Sequence, residues 1–335
     1  MKEQVKELWK SCFNDSEEFT DMYFRLRYRD DINMILQKGD ELIAAMQLLP
    51  YPMTFCGNEV SSAYISGACT HPKYRNRGYM SVLLQQALTR IQQEGTLFSI
   101  LIPAESGLFG FYARYGYASI FRQGKQKYTM PKLPPFDYAP ALQTIHNPIE
   151  LYNFFDHKLR EKPCSVLHTF ADCRVIMADL RLSNGRIFTL KEDGRIVAGA
   201  LVTPSSADKW VVNECMANST ELKKILLYRI CEELEVPKLE ILLPSQPQSK
   251  GLGMARIINA EAVLAIYART HPASRLSFRL VDAQIESNNG YFQLQNGNCK
   301  KSAKPLTESN LTLSIGELTE KVFDGQQPYM CLMLN

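Results

Sequence analysis

Two arginines and a glycine at close spacing, Arg75, Arg77 and Gly78, are residue types that can hold an anion. They lie in Pro72-Lys73-Tyr74-Arg75-Asn76-Arg77-Gly78, just ahead of the helix-forming run Met80-Ser81-Val82-Leu83-Leu84-Gln85-Gln86-Ala87-Leu88. A helix start leaves backbone N–H groups without intrahelical partners, and its dipole favours negative charge there. Glycine lets the backbone approach a ligand closely, and arginines add charge-assisted hydrogen bonds. The chemistry predicted for this turn is the binding of a pyrophosphate. Further on, Phe111-Tyr112 precedes Gly116-Tyr117. The Tyr112 phenol, with an ordinary pKa of ~10, keeps its proton at neutral pH and can give it to a departing thiolate of pKa ~8.5.

Alternating helices and strands must position these residues. Asn14-Asp15-Ser16 predicts a cap for a helix through Glu17, Phe19, Met22, Tyr23 and Leu26. Met34 to Gln37 and Leu42 to Pro50 are strand-like and are joined by the turn Lys38-Gly39-Asp40-Glu41. Ser61 to Thr70 is a further strand leading into the basic turn. The helix Met80 to Glu94 directs Val82, Leu83, Leu84, Leu88 and Ile91 towards a core. Thr96 to Ile102, an apolar run between Gly95 and Pro103, reads as a buried strand.

Arg75-x-x-Gly78 after a strand, with Phe111-Tyr112-x-x-x-Gly116-Tyr117 downstream, resembles the GNAT superfamily of coenzyme A-dependent N-acetyltransferases. Within it, Tyr74-Arg75-Asn76-Arg77-Gly78 and the overall length look most like the enhanced intracellular survival (Eis-like) branch. One position departs from the superfamily pattern, which has glycine or alanine two residues after Gly78; this chain has Met80. The resemblance implies an α/β fold of tandem GNAT-like mixed sheets flanked by helices, with a small sterol-carrier-like α+β domain at the C-terminal end. It implies acetyl-CoA as donor, bound by Ala68, Cys69 and Thr70 on the strand and by Arg75, Asn76, Arg77, Gly78 and Tyr79 in the turn. Ala68 and Thr70 would act through their backbones on the pantetheine arm and the acetyl carbonyl, as fixed donors meeting developing charge. The resemblance also makes Tyr112 the general acid.

The base has three candidates. His71 and Glu105 lie near the turn and the aromatic segment, although each also reads as an ordinary surface residue. The third is the chain end. Pro328-Tyr329-Met330-Cys331-Leu332-Met333-Leu334-Asn335 is apolar, which predicts a tucked-in terminus, and a buried α-carboxylate has a raised pKa. In Eis-like enzymes that carboxylate reaches back to the N-terminal domain and takes the amine proton, so the resemblance assigns Asn335 this role. A final core strand without a catalytic part would explain the same apolar pattern.

A chain of 335 residues suits two or three domains. Residues 1–130 are expected to form the active GNAT domain. Residues 131–148 form a linker marked by Pro131, Pro134, Pro135 and Pro140. An internal echo follows: Leu36 to Ala45, ending at Pro50, matches Leu190 to Gly199, ending at Pro204. A strand at Trp210 to Cys215, a helix through Leu222, Ile225, Leu226, Ile230 and Leu234, and a strand at Leu239 to Leu243 continue the second copy. Residues 149–271 thus read as a degenerate GNAT-like domain, since Ser219-Thr220-Glu221 opens its helix without Arg-x-x-Gly. In residues 272–335, Leu276, Phe278 and Leu280 alternate with polar residues, and Asn288-Asn289-Gly290 turns into Tyr291 to Leu294. Leu311, Leu313 and Ile315 alternate again before a short helix from Glu317 to Phe323. A scaffold role fits this last part better than lipid binding.

Net charge is +3 and the isoelectric point near 8.3, so no strong field favours nucleic acid. Nine singly scattered cysteines, without Cys-x-x-Cys, suit a reduced, cytoplasmic compartment. The five histidines do not pair at ligand spacing, so no metal is expected. Met1 to Lys6 lack the apolar core of a signal peptide, and no run approaches the ~20 apolar residues of a membrane span. The partners are acetyl-CoA and an amine-bearing acceptor, and a homo-oligomer is compatible with this reading. Trp9, Phe24, Tyr28 and Tyr64 could line an acceptor pocket or the core; Asp21 and Glu105 could hold a cationic amine or sit at the surface. Cys69, a nearby nucleophile, is expected to be inert on a buried strand. The activity expected is direct acetyl transfer to a primary amine. A non-catalytic acyl-CoA-binding protein and an enzyme for longer acyl chains stay open as alternatives.

Overall fold

The computed structural model of the chain describes residues 1–134, 136, 140–143, 148–206, 208–244, 249–306 and 311–333. Pro135, part of the 131–148 linker, Leu334 and Asn335 lie outside the described residues. The chain divides into two compact units. The first combines Met1–Phe121 with Gly251–Pro328, and the second combines Arg122–Lys250 with residues 329–333.

Unit 1 begins with helices α1 (Lys2–Cys12) and α2 (Glu17–Leu26). Ser16 caps α2, its hydroxyl accepting from the Phe19 amide at 3.1 Å, as the Asn14-Asp15-Ser16 run predicted. Strands β1 (Asn33–Lys38) and β2 (Glu41–Phe55) form an antiparallel hairpin, and β3 (Asn58–Thr70) pairs antiparallel to β2. Helix α3 (Tyr79–Gln93) crosses to β4 (Phe98–Leu101), which lies parallel to β3. Helix α4 (Leu108–Ala113) and strand β5 (Ala118–Thr129) follow, and the chain leaves the unit within β5. The spacing of Leu83, Leu84, Ala87, Leu88 and Ile91 gives α3 one apolar face, which is buried against β2 and β3. Val82, expected to face the core, is 46% exposed because it falls off that stripe.

Unit 2 contains β6 (Leu142–Gln143), α5 (Pro148–Arg160), β7 (Cys164–Val166) and α6 (Phe170–Leu182). Thr169 and Asp172 form a capping box at the start of α6. Strands β8 (Arg186–Glu192), β9 (Arg195–Ser206) and β10 (Lys209–Ala217), helix α7 (Thr220–Glu233) and strand β11 (Lys238–Pro244) complete it. β10 is antiparallel to β9 and parallel to β11, and residues 123–129 of β5 pair antiparallel with β11.

The echo in sequence is an echo in backbone. In the first hairpin Lys38 faces Glu41, and the register slips where Leu36 pairs with Ala44 but Gln37 with Leu42. In the second, Glu192 faces Arg195, and the slip falls where Leu190 pairs with Ala198 but Lys191 with Ile196. The third strands repeat as well. β3 pairs with β4 up to Ile65↔Leu101 and then runs on to Thr70; β10 pairs with β11 up to Val212↔Ile241 and then runs on to Ala217.

The rest of unit 1 is β12 (Lys250–Ile257), α8 (Ala260–Thr270), β13 (Leu276–Val281), β14 (Gly290–Gln295), β15 (Asn298–Ser302), β16 (Thr312–Ser314) and α9 (Ile315–Phe323). β12 lies antiparallel to β4, from Met254↔Leu101 to Ile257↔Phe98. The last four strands form a separate sheet in the order β15-β14-β13-β16. Ile315, expected to extend the strand alternation, opens α9 instead, because Ser314 and Glu317 form a capping box one residue earlier. A fully buried ion pair ties this sheet to β12: Arg256 Nη2 donates to both Asp282 oxygens at 2.7 and 3.0 Å. Asp282 also accepts from the amides of Gln284 and Ile285 and from Asn288 Nδ2, so its lone pairs are well satisfied.

Candidate active site

The site is built where β3 outruns β4. Beyond Ile65, the segment Ser66–Thr70 keeps β2 as a partner while β4 has ended at Leu101. A bulge sits in this stretch: Ala45 pairs with Cys69 and Gln47 with Ser66, so Met46 faces both Gly67 and Ala68. Gly67 takes φ +59°, and a Cβ there would come within 2.1 Å of the Trp9 ring. Both facts restrict the position to glycine. An isolated glycine in a strand pattern is the sequence signal for such a bulge.

After Thr70 the chain makes a 3-10 turn at Pro72–Tyr74, started by His71, whose Nδ1 accepts from the Lys73 amide at 3.3 Å. Tyr74 is buried and its hydroxyl donates to the Glu41 carboxylate. That bond holds Glu41 below and Tyr74 above their ordinary pKa values. Lys73 and Arg77 lie over the Tyr74 ring, at 5.3 and 5.7 Å from its centre. Arg75 Nε donates to the Thr70 carbonyl at 3.2 Å, which ties the turn to the end of β3.

Asn76 and Gly78 both adopt left-handed backbone, with φ +61° and +81°. Asparagine tolerates this conformation and glycine favours it. Gly78 is the N-cap of α3, and no side chain caps that helix. A Cβ on Gly78 would meet nothing within 4 Å. The first amides of α3 therefore open onto a surface carrying exposed Arg75 and Arg77, which is what a diphosphate requires. Met80, the departure from the superfamily pattern, is partly buried and packs, as Tyr79 and Ala68 do, against the core cluster that includes the apolar face of α3.

Tyr112 lies on α4 in the same apolar cluster as Ala68, Tyr74, Tyr79 and Met80. Its ring meets Phe111 and Tyr117 edge-on, at 5.1 and 5.8 Å, and burial pushes its phenol up to about 12. The Tyr117 hydroxyl is fixed by Ser99 Oγ at 2.7 Å. Gly116, at φ +80°, lies where a Cβ would strike Ile315 at 2.3 Å and Arg256 at 3.1 Å, so the aromatic turn is wedged from behind.

The other candidates fall elsewhere. Trp9, Phe24 and Tyr28 belong to a core cluster between α1, α2 and the sheet, and Tyr64 is 3% exposed. Asp21 is a surface residue paired with Lys6 at 2.6 Å. Glu105 is exposed, with its carbonyl accepting from the Leu108 amide. Asn335 is outside the described residues, but the tail before it is placed. Within unit 2, Tyr329 exchanges backbone hydrogen bonds with Cys164 and Val166, and its hydroxyl donates to the buried Glu214 at 2.7 Å. Tyr329, Met330 and Cys331 are buried, and the His168 ring meets the Cys331 carbonyl at 3.0 Å.

In unit 2, β10 and β11 part as β3 and β4 do in unit 1, around a cavity of about 400 Å³ whose lining includes Lys158, Glu214, Lys223 and Tyr329. Only Asn218 and Ser219 connect β10 to α7, and Ser219 caps that helix by accepting from the Leu222 amide at 3.1 Å. The turn at residues 71–78 has no counterpart between those two elements.

Residues 2–120 match the family model of the acetyltransferase (GNAT) domain, so the N-terminal part of the chain carries a GNAT acetyltransferase domain. Among solved structures, a GCN5-related N-acetyltransferase from Anabaena variabilis is similar over 98% of this chain and 96% of its own, with a TM-score of 0.77 and 15% identity. Eis1 from Mycobacterium abscessus is similar over 96% of this chain and 87% of its own, with a TM-score of 0.75 and 15% identity. A conserved protein from Enterococcus faecalis described as a probable N-acyltransferase covers 95% and 86%, with a TM-score of 0.75 and 15% identity. Likeness at such identities speaks for the fold: mixed α/β sheets flanked by helices, GNAT-like as in Eis1. None of the curated proteins matches the chain in sequence. Among the described residues no helix is long and apolar enough to cross a membrane.

Proposed function

We propose that the N-terminal domain transfers an acetyl group from acetyl-CoA directly to a primary amine. The observation that carries this reading is the start of α3, an uncapped helix with left-handed Asn76 and Gly78, beside a strand that has outrun its neighbour. Acetyl-CoA supplies an activated thioester. Arg75, Arg77 and the amides of residues 76–79 hold its diphosphate. The backbone of Ala68 and Thr70 orients the pantetheine arm and polarises the carbonyl, with Cys69 between them as part of the same strand. Tyr112 holds a proton for the leaving sulfur. Burial raises the pKa of this phenol, but it raises that of a thiol in the same surroundings too, so the gap between the two stays near that in water. The Asn335 carboxylate takes the amine proton.

The repeated hairpin, strand, helix and strand support two GNAT-like copies, the second without a pyrophosphate turn, and the small four-stranded sheet suits a sterol-carrier-like scaffold. Acetyl-CoA consumption measured against polyamines and aminoglycosides tests the reading. Turnover on an amine is expected, while saturable CoA binding without turnover on any amine would favour a sensor. A higher rate with propionyl- or succinyl-CoA would favour a longer acyl donor.

A further inference from the structure

Cys12, the last residue of α1, is half-buried beside the candidate anion turn. Its Sγ donates to the Thr70 carbonyl at 3.3 Å, the same oxygen that accepts from Arg75 Nε at 3.2 Å. Ser11 Oγ lies 3.6 Å from the same sulfur. The residue before Thr70 is Cys69, which is buried in the cluster against which Cys12 packs. Two thiols and a guanidinium therefore converge on the end of β3. Their environments differ in a useful way. Hydrogen bonding to Cys69, and to a lesser degree to Ser11 and Arg75, draws the Cys12 thiol down to about 6 against the opposing effect of burial. The same contact, together with burial, pushes Cys69 well up. Burial instead raises the half-exposed Cys173 and Cys299 to about 11. The S–H bond to the Thr70 carbonyl belongs to the resting thiol; on ionising, Cys12 gives up that bond and accepts from the Cys69 thiol, which makes Cys12 the readier nucleophile of the two.

We propose that Cys12 and Cys69 form a peroxide-sensitive thiol pair, in which Cys12 is oxidised first and Cys69 resolves it to a disulfide beside Arg75. The Cys12 thiolate attacks one oxygen of a hydroperoxide, the O–O bond breaks, and the products are a Cys12 sulfenic acid and hydroxide or alkoxide. The Cys69 sulfur, shielded from solvent reagents on its buried strand but in the cluster against which Cys12 packs, then attacks the Cys12 sulfur. Its proton goes to the departing hydroxide, and the S–S bond forms with release of water. Two thiols are oxidised by two electrons and one peroxide is reduced.

The test is peptide mapping of the full chain after brief hydrogen peroxide treatment and alkylation, without reductant. The pair predicts a Cys12–Cys69 cross-linked peptide that dithiothreitol removes, with the other cysteines still alkylatable. It also predicts that Cys12 is the first thiol to react with iodoacetamide in untreated protein. In Cys69→Ser, Cys12 has no resolving partner and should proceed to sulfinic acid. Wild-type protein in which Cys12 reaches sulfinic acid without a cross-link, or in which both thiols stay alkylatable, overturns the proposal. A second arm rests on the reading of the anion turn: saturating CoA places negative charge beside Arg75, so it should slow Cys12 alkylation several-fold. A cross-link that forms normally, with no protection by CoA, would leave the thiol pair standing and count against the diphosphate assignment alone.

Discussion

Tyr112 combines a buried hydroxyl, a ring held by Phe111 and Tyr117, and a pKa raised to about 12 by burial. In the proposed reaction its proton goes to the leaving sulfur, so Tyr112→Phe should lower kcat by ~100-fold while leaving CoA affinity close to wild type. Steady-state rates and CoA titration measure the two separately, and a wild-type rate would remove Tyr112 from the mechanism. The pH dependence follows with a definite sign. The protonated phenol is the active form, and a raised pKa keeps it protonated to higher pH. The rate should therefore show no alkaline loss near pH 10, the value of a free phenol. A fall centred there would mean that Tyr112 is solvated in the working enzyme. The gathering of Arg75, Asn76, Arg77 and Gly78 at the start of α3 was legible from residue types alone, because it depends only on residues close together in sequence. Cys12 was not, since its partners Cys69, Thr70 and Arg75 reach it only through the packing of α1 on β3.

At the scale of elements, the bulge in β3 decides where the backbone of Ala68 and Thr70 is presented. Gly67→Ala adds a methyl group into the Trp9 ring at a left-handed position and should cost about 3 kcal/mol of stability. Denaturant unfolding measures that cost, and an unchanged midpoint would show that α1 yields easily. The Arg256–Asp282 pair joins β12 to the small sheet inside unit 1. Arg256→Met and Asp282→Leu should each cost about 3–5 kcal/mol by stranding a buried charge, and the double variant clearly less than the sum. Additive costs would argue that the pair contributes no coupling. The hairpins at Leu36–Pro50 and Leu190–Pro204 were readable because a charged glycine turn and an apolar strand are local signals. The pairing of β12 with β4 was not, since it joins residues 98–101 to residues 254–257 and no local pattern names a distant partner. The capping box at Ser314 and Glu317 explains why strand alternation misled at Ile315: a helix start can follow a strand without a break in apolar spacing.

At the scale of the whole molecule, buried tyrosines set an alkaline limit. Tyr23 and Tyr112 rise from 10.0 to about 12, and burial raises Tyr64 and Tyr117 as well. Between pH 10 and 12 the unfolded chain loses these protons while the folded chain retains them, so stability is full below pH 10 and falls as pH rises through that window. Each such group contributes up to about 1.4 kcal/mol per pH unit. The phenolate absorbance of these four tyrosines should therefore appear together with unfolding, and their gradual ionisation in folded protein would contradict the burial described. If the Asn335 carboxylate is the base, a C-terminal tag should reduce activity more than an N-terminal one, and equal activities would count against that role. The account as a whole depends on the start of α3 holding the diphosphate of CoA. Calorimetric titration of CoA into wild-type and Gly78→Glu protein, both shown to be folded by circular dichroism, tests this most directly. Saturable binding by the wild type and none by the variant, which places a carboxylate at the proposed diphosphate site, is the predicted result. Equal affinity in the two proteins would contradict it.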